Sequence, residues 1–182
     1  MEHKNLTSPP EPITTRAAHN GLYVSLYLSM LVVAMGFSLS FPPAALLIWI
    51  GSLGLPFFLY RILSRSNRVA GGLSFAELWA EGIASFFLGT LIPALVAYVG
   101  LRFIMPDFMA ETVRSAIAVL SEQGTAEAQN FADTLSAFLK PGALPSPADV
   151  AAQLISFNII AGTGMSLVVA LFVKLLAKVV RK

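Results

Sequence analysis

Three long windows of the chain contain no charged residue. Asp, Glu, Lys and Arg are all missing from residues 17–60, 82–101 and 150–173. A helix crosses the hydrocarbon core of a bilayer with about 20 apolar residues, and soluble domains rarely leave stretches of this length uncharged. The pattern therefore predicts an all-α integral membrane protein.

The first window is long enough for two crossings, and adjacent prolines stand in its middle. Pro42 and Pro43 interrupt the ladder of helical hydrogen bonds, which predicts a tight turn between two spans. Residues 1–20 are rich in proline and poor in apolar side chains, so we expect a flexible cytoplasmic tail there, followed by a membrane domain over 21–182. The first span follows this tail and continues directly into more apolar sequence, which favours a retained span over a cleaved signal peptide.

Two local signals start the later spans. Ser74 and Glu77 have the spacing of a capping box, and Ser146 and Pro147 supply an N-cap and a proline at the first helical position. The four spans are predicted at 22–40, 43–63, 82–104 and 150–173, the last within a helix that continues to about residue 180.

The segment between the last two spans, 105–149, has a different pattern. Apolar residues recur there at helical spacing with charged residues between them, which predicts two short amphipathic helices that form a hairpin outside the membrane. The stripe of the first comprises Met109, Val113, Ile117 and Leu120, and that of the second comprises Phe131, Leu135 and Phe138. The stripes could pack on each other, on the lipid surface or on a partner.

Basic residues are unevenly distributed between the two predicted sides. The tail, the loop after the second span and the C-terminus hold Lys4, Arg16, Arg61, Arg65, Arg68, Lys174, Lys178, Arg181 and Lys182, whereas the other side holds Arg102, Arg114 and Lys140. Cytoplasmic loops carry the excess of Lys and Arg in membrane proteins. We therefore expect both termini in the cytoplasm and an extracytoplasmic hairpin, in a bacterial inner membrane.

Small residues recur at every fourth position of the last two spans. Such stripes let helix backbones approach closely within a membrane. The stripe of the third span is Ser85, Gly89, Pro93 and Ala97, and that of the fourth is Asn158, Gly162, Ser166 and Ala170. We expect the two spans to pack through these stripes, although self-association or a polar track through Asn158 would use the same face.

Two carboxylates stand one helical turn apart at the cytoplasmic start of the third span. Glu77 and Glu81 repel each other unless a cation intervenes, and Arg61 and Arg65 are the expected partners in an interfacial charge cluster. A proton or metal pair is the alternative, but metal sites normally need a third ligand. We predict no catalytic residue, metal or cofactor.

Composition narrows the possible functions further. The chain has no cysteine, which excludes disulfides, thiolate metal sites and cysteine nucleophiles. The net charge of +2 gives no reason to expect nucleic acid as a partner. The expected partners are the lipid bilayer and either another membrane protein or a second copy of the chain.

The order of these features resembles a family of small inner-membrane proteins from Bacteroidota, catalogued as domain of unknown function 4199. The resemblance covers about residues 22–182. It comprises basic residues that close the second span, the run Gly71-Gly72-Leu73-Ser74-Phe75, the pair Pro106-Asp107, an amphipathic segment and a last span rich in small residues. It implies four spans and a bacterial inner membrane, and it implies no activity.

Three functions remain open from the sequence. The leading hypothesis is a non-enzymatic protein that is accessory to an envelope process or a membrane complex. The second is a small oligomeric channel or carrier whose path uses Asn158, Thr163 and Ser166. The third is a membrane enzyme that acts on a lipid-linked substrate through Glu77, Glu81 and Arg102.

Overall fold

A computed structural model describes residues 12–140 and 142–180. The elements follow in the order α1 (Ile13–Phe37), α2 (Pro43–Val69), α3 (Phe75–Gly89), α4 (Leu91–Val99) with a π-helical turn (Gly100–Ile104), α5 (Phe108–Glu122), α6 (Ala126–Ser136) with a 3-10 turn (Ala137–Leu139), and α7 (Pro147–Val180). Within the described residues four helical stretches are long and apolar enough to cross a membrane: Ile13–Phe37, Pro43–Val69, Phe75–Ile104 and Pro147–Lys178.

The predicted helix starts are confirmed at two places. The Ser74 hydroxyl accepts a hydrogen bond from the Glu77 backbone N–H at 3.2 Å, and the Ser74 N–H donates to the Glu77 carboxylate at 2.7 Å, which completes the capping box of α3. At the start of α7 the Ser146 hydroxyl accepts from the Asp149 N–H at 3.2 Å. These caps satisfy backbone groups that have no partner inside the helix.

The first helix starts earlier than the sequence predicts. Helix α1 begins at Ile13, so residues 13–20 are helical where a tail is predicted, and the part of that tail up to residue 11 lies outside the described residues. The extension is stabilised by contacts that local sequence does not reveal, because Arg16 and Asn20 have partners on other helices. Helix α2 likewise continues beyond its predicted end, to Val69.

The third crossing consists of α3 and α4, which are separated at Thr90. Pro93 explains the interruption, because it lacks an N–H and its ring crowds the carbonyl of Gly89. This crossing is the centre of the bundle. In its most apolar window 44% of the residues are buried, against 17% for α2, and it packs between α1 and α7.

The four crossings alternate in direction, so the bundle has two distinct ends. At the end that we call the cluster end, the start of α1, the end of α2, the start of α3 and the end of α7 meet. There the ammonium of Lys174 donates to the Leu73 carbonyl at 2.5 Å. At the opposite end, which we call the hairpin end, Met35, Met105 and Val150 line one apolar cavity.

The bundle has apolar side chains on its outside as well as in its core. Met30, Phe57 and Ile160 lie on three different crossings and are 73%, 77% and 74% exposed. Such a continuous apolar exterior is unusual for a soluble protein and suits contact with lipid. The core contains Val24, Leu59, Leu63, Leu78, Phe86, Val169 and Val173.

Helices α5 and α6 form a helical hairpin and pack on each other. Gly124 makes the turn between them with φ +67°, a left-handed conformation that glycine adopts without strain. Ala128 and Ala132 are buried between the helices, whereas Val119, Phe131 and Phe138 remain exposed. Mutual packing therefore covers only part of the apolar surface of the hairpin.

Candidate functional site: a buried polar cluster

The Glu81 carboxylate lies in the interior of the bundle. The capping box at Ser74 fixes the start of α3, and Glu81 follows one turn after Glu77 on the same helix face. The side chain is 0% exposed. A carboxylate taken out of water is strongly destabilising unless cations and hydrogen-bond donors replace its solvation.

Residues of α1 and α2 supply these interactions. The Nε of Arg16 lies 3.0 Å from one carboxylate oxygen of Glu81, and Arg16 is itself only 7% exposed. The side-chain amide of Asn20 donates to the other oxygen at 2.7 Å and to the Ser66 hydroxyl at 3.1 Å. We call Arg16, Asn20, Ser66 and Glu81 the polar cluster.

The polar cluster joins three of the four crossings. Both oxygens of Glu81 accept hydrogen bonds from α1, and Asn20 extends the connection to α2. Such charge-assisted hydrogen bonds are shorter and stronger than neutral ones. A carboxylate that is buried and engaged through both oxygens is suited to fixing helix positions, because its interactions join separate helices.

The arrangement differs from the predicted surface cluster of Arg61, Arg65, Glu77 and Glu81. The prediction of Arg61 and Arg65 as partners of Glu81 is wrong, since both arginines are exposed on α2 and Glu81 pairs with Arg16. Glu77 belongs to the capping box. In the part of the chain that the structure describes, no three His, Asp or Glu residues are grouped as metal ligands.

The sequence contained a signal for this pairing. Arg16 is the last charged residue before the window 17–60, and Glu81 is the last before 82–101. Two opposite charges that each stand at the start of an apolar crossing lie at similar depth when both helices start from the same end. Asn20 follows Arg16 by four residues, which places it on the same helix face.

The small-residue stripe of α7 faces α3. Asn158, Gly162, Ser166 and Ala170 are all buried. A methyl group at Gly162 would lie 2.6 Å from Cδ1 of Phe86. Ser166 packs on Gly82, and a methyl group at Gly82 would lie 2.6 Å from the Ser166 hydroxyl. The close approach of these helices therefore depends on glycines on both sides.

The corresponding stripe of the third crossing faces a different helix from the one predicted. A methyl group at Gly89 would lie 2.9 Å from the Gly21 carbonyl oxygen of α1, and one at Gly21 would lie 3.2 Å from the Ser85 carbonyl oxygen. Pro93 is buried, and Ala97 lines the apolar cavity at the hairpin end. The third crossing thus uses Ser85 and Gly89 against α1 and turns Gly82 and Phe86 toward α7.

The side chains of Asn158 and Thr163 bond within their own helix. The amide of Asn158 donates to the Leu154 carbonyl at 2.9 Å, and the Thr163 hydroxyl donates to that of Ile159 at 2.7 Å. The ring of Phe86 fills the space at Gly162, between Asn158 and Ser166. These residues therefore do not form a continuous polar track inside one chain.

Arg102 lies far from the polar cluster. It is exposed in the π-helical turn at the hairpin end, about 30 Å along the helix axis from Glu81 at 1.5 Å per residue. The structure therefore does not bring Glu77, Glu81 and Arg102 to one reacting centre.

These features define an all-helical, multi-pass membrane protein with a close-packed interior. The chain belongs to the family described as "Protein of unknown function (DUF4199)", whose model matches residues 19–174. That range includes Asn20, Ser66 and Glu81 of the polar cluster, and it covers all four crossings in whole or in part. No curated protein and no solved structure matches the chain.

Proposed function

We propose that the protein is a non-enzymatic accessory protein of a bacterial inner membrane, whose four-helix body anchors a hairpin that contacts another membrane or envelope protein. One observation carries this proposal. The Glu81 carboxylate is fully buried and bonded through both oxygens, so the most prominent ionisable group of the crossings serves the packing of the bundle.

The orientation belongs to the same proposal. Arg16, Arg61, Arg65, Arg68 and Lys174 all belong to segments at the cluster end, and an excess of Lys and Arg is typical of the cytoplasmic side. The hairpin end then faces outward. This orientation makes the exposed side chains of α5 and α6 available to an extracytoplasmic partner.

The hairpin is the favoured contact surface because its apolar residues are only partly covered. Phe131 is 59% exposed and Phe138 is 46% exposed, although both helices carry charged residues that suit water. Burying a phenylalanine side chain contributes about 1.5–3 kcal/mol. A partner that covers these rings would therefore gain substantial affinity.

Replacement of Phe131 by Ser tests this function. We expect the protein that co-purifies with the wild-type chain after gentle crosslinking of native membranes to be recovered about tenfold less with Phe131→Ser, because 1.4 kcal/mol corresponds to a factor of ten. Asp133→Ser is the matched control, since Asp133 is exposed and lies two residues further along α6. The Asp133→Ser variant should recover as much of the co-purifying protein as the wild type does.

Two results would contradict the proposal. One is that Phe131→Ser and the wild type recover the same proteins in the same amounts, which would leave the hairpin without a protein contact. The other is ion flux through liposomes that hold the purified protein, abolished by Asn158→Leu, which would favour the channel or carrier instead.

A further inference from the structure

A second cavity opens at the cluster end, between α2 and α7. Its volume is about 690 Å³, within the range of ligand pockets in proteins. Residues of α2 and the following loop form one wall, and residues of α7 form the other. The lining comprises Tyr60, Arg61, Ser64, Asn67, Arg68, Gly71, Val173, Leu176 and Ala177.

The α2 wall is basic and polar. Arg61 and Arg68 are seven residues apart, which is about two helical turns, so both lie on one face of α2. Of the described residues that line the cavity, none is acidic. An anion in this cavity would therefore meet two guanidinium groups without a competing carboxylate.

A buried hydroxyl adds to this polarity. The Ser64 hydroxyl is buried and has no hydrogen-bond partner among the described residues. Such a group usually has a hydrogen-bond partner, either in the protein or in an ordered water molecule. Next to it, Arg68 is held along the helix because its Nε donates to the Ser64 carbonyl at 3.3 Å.

The α7 wall is apolar, with Val173, Leu176 and Ala177 facing the arginines across the cavity. A ligand with a charged group and an aliphatic part fits two such walls. The cavity also lies where α2 leaves its charge-free window, which is where the sequence pattern predicts the membrane interface. Basic pockets between membrane helices bind anionic lipid headgroups elsewhere.

We propose that this cavity binds the phosphate of an anionic phospholipid from the surrounding leaflet. Arg61 and Arg68 bind the headgroup phosphate, the Ser64 hydroxyl donates a further hydrogen bond, and the α7 wall contacts the first carbons of the acyl chains. Guanidinium groups match phosphate oxygens with paired hydrogen bonds. The inference concerns a ligand site and does not depend on the hairpin partner.

Lipid retention by the purified chain tests the site. Full-length protein is placed in nanodiscs of phosphatidylcholine with a minority of phosphatidylglycerol, and the lipid that stays bound is measured by native mass spectrometry. We expect phosphatidylglycerol to be retained about tenfold more than phosphatidylcholine. The variant Arg61→Gln/Arg68→Gln should remove that preference, since a hydrogen bond to a charged group contributes about 1.5–3 kcal/mol, which changes affinity by about tenfold or more.

Arg65→Gln is the matched control. Arg65 is an exposed arginine of α2 that lies between the two but does not line the cavity, so its loss should leave the preference unchanged. An equal loss with Arg65→Gln would show general surface attraction and overturn the site. Displacement of the lipid by millimolar glycerol phosphate would overturn the lipid as occupant and leave a site for a free phosphate ester.

A second measurement keeps the test independent of folding. The melting temperature of each variant in pure phosphatidylcholine should equal that of the wild type, because Arg61, Arg65 and Arg68 are all exposed. Addition of phosphatidylglycerol should raise the melting temperature of the wild type and of Arg65→Gln, since a ligand stabilises the state that binds it. An equal rise in the double variant would contradict the proposal.

Discussion

Glu81→Gln is expected to lower the free energy of unfolding by about 3–5 kcal/mol, because the change breaks a buried ion pair by removing the Glu81 charge that faces the Arg16 guanidinium. The substitution keeps the size of the side chain, so the loss reports on charge and hydrogen bonding. Arg16 is 7% exposed and Glu81 is 0% exposed, which prevents water from replacing the lost interaction. The loss is measured by denaturant titration of the purified protein in mild detergent.

Glu77→Gln is the matched control for this experiment. Glu77 stands one turn before Glu81 in the same helix, and glutamine can keep the capping box. We expect a much smaller change than that of Glu81→Gln, as is typical of surface substitutions. A loss with Glu77→Gln as large as that with Glu81→Gln would show that any charge change at this helix end is destabilising.

The double variant Arg16→Met/Glu81→Leu separates the pair from its surroundings. Removal of both charges leaves neither charge of the Arg16–Glu81 pair facing an apolar side chain, and apolar side chains of similar volume often replace a buried pair without loss. We expect the double variant to be more stable than either single variant. Strictly additive losses would contradict a direct interaction between the two side chains.

Gly162→Ala is expected to destabilise the bundle by about 1–3 kcal/mol through overpacking against Phe86. The added methyl group would lie 2.6 Å from Cδ1 and 2.7 Å from Cβ of Phe86. Phe86 is 1% exposed in the centre of the bundle, so it has little room to move away. The detergent titration used for Glu81 measures the change.

Gly164→Ala should have the opposite sign. It stands two residues further along α7, and a methyl group there would have no heavy atom within 4 Å. Alanine is favoured over glycine inside a helix by about 1 kcal/mol. If both alanine variants change stability alike, the close packing of α3 on α7 at Gly162 is wrong.

Phe86→Leu combined with Gly162→Ala should recover part of the loss, because the smaller side chain makes room for the methyl group. The double variant should therefore lose less stability than the sum of the two single losses, since substitutions at residues in contact are not additive. Independent effects would indicate that the clash lies elsewhere.

The crossings and the helix starts could be predicted from the sequence because they depend on local patterns. A charge-free window of about 20 residues indicates that one helix is surrounded by lipid. The caps at Ser74 and Ser146 involve residues only three apart. The sequence predicts that helix α7 runs from Pro147 to about residue 180, and the structure gives Pro147–Val180. Local chemistry was sufficient for these features.

The partners within the bundle could not be predicted in the same way. The Arg16–Glu81 contact joins residues 65 apart in the sequence. The predicted partners Arg61 and Arg65 stand closer to Glu81 in the sequence, whereas Arg16 belongs to a proline-rich segment whose pattern predicts a tail. The small-residue stripes indicate which positions approach another helix, but they do not identify that helix. Gly89 of α3 packs on α1, whereas Gly162 of α7 packs on α3.

Cysteine accessibility tests the central claim most directly, namely that the chain crosses the membrane four times with the cluster end in the cytoplasm. The chain has no cysteine, so any labelling of a single-cysteine variant comes from the introduced residue. Thr14→Cys marks the start of α1 and Gln123→Cys marks the hairpin, and both positions are exposed. With a membrane-impermeant maleimide on intact spheroplasts, we predict labelling of Gln123→Cys alone, and labelling of Thr14→Cys only after permeabilisation. Labelling of both variants in intact spheroplasts, or of Thr14→Cys alone, would contradict the topology with the cluster end in the cytoplasm.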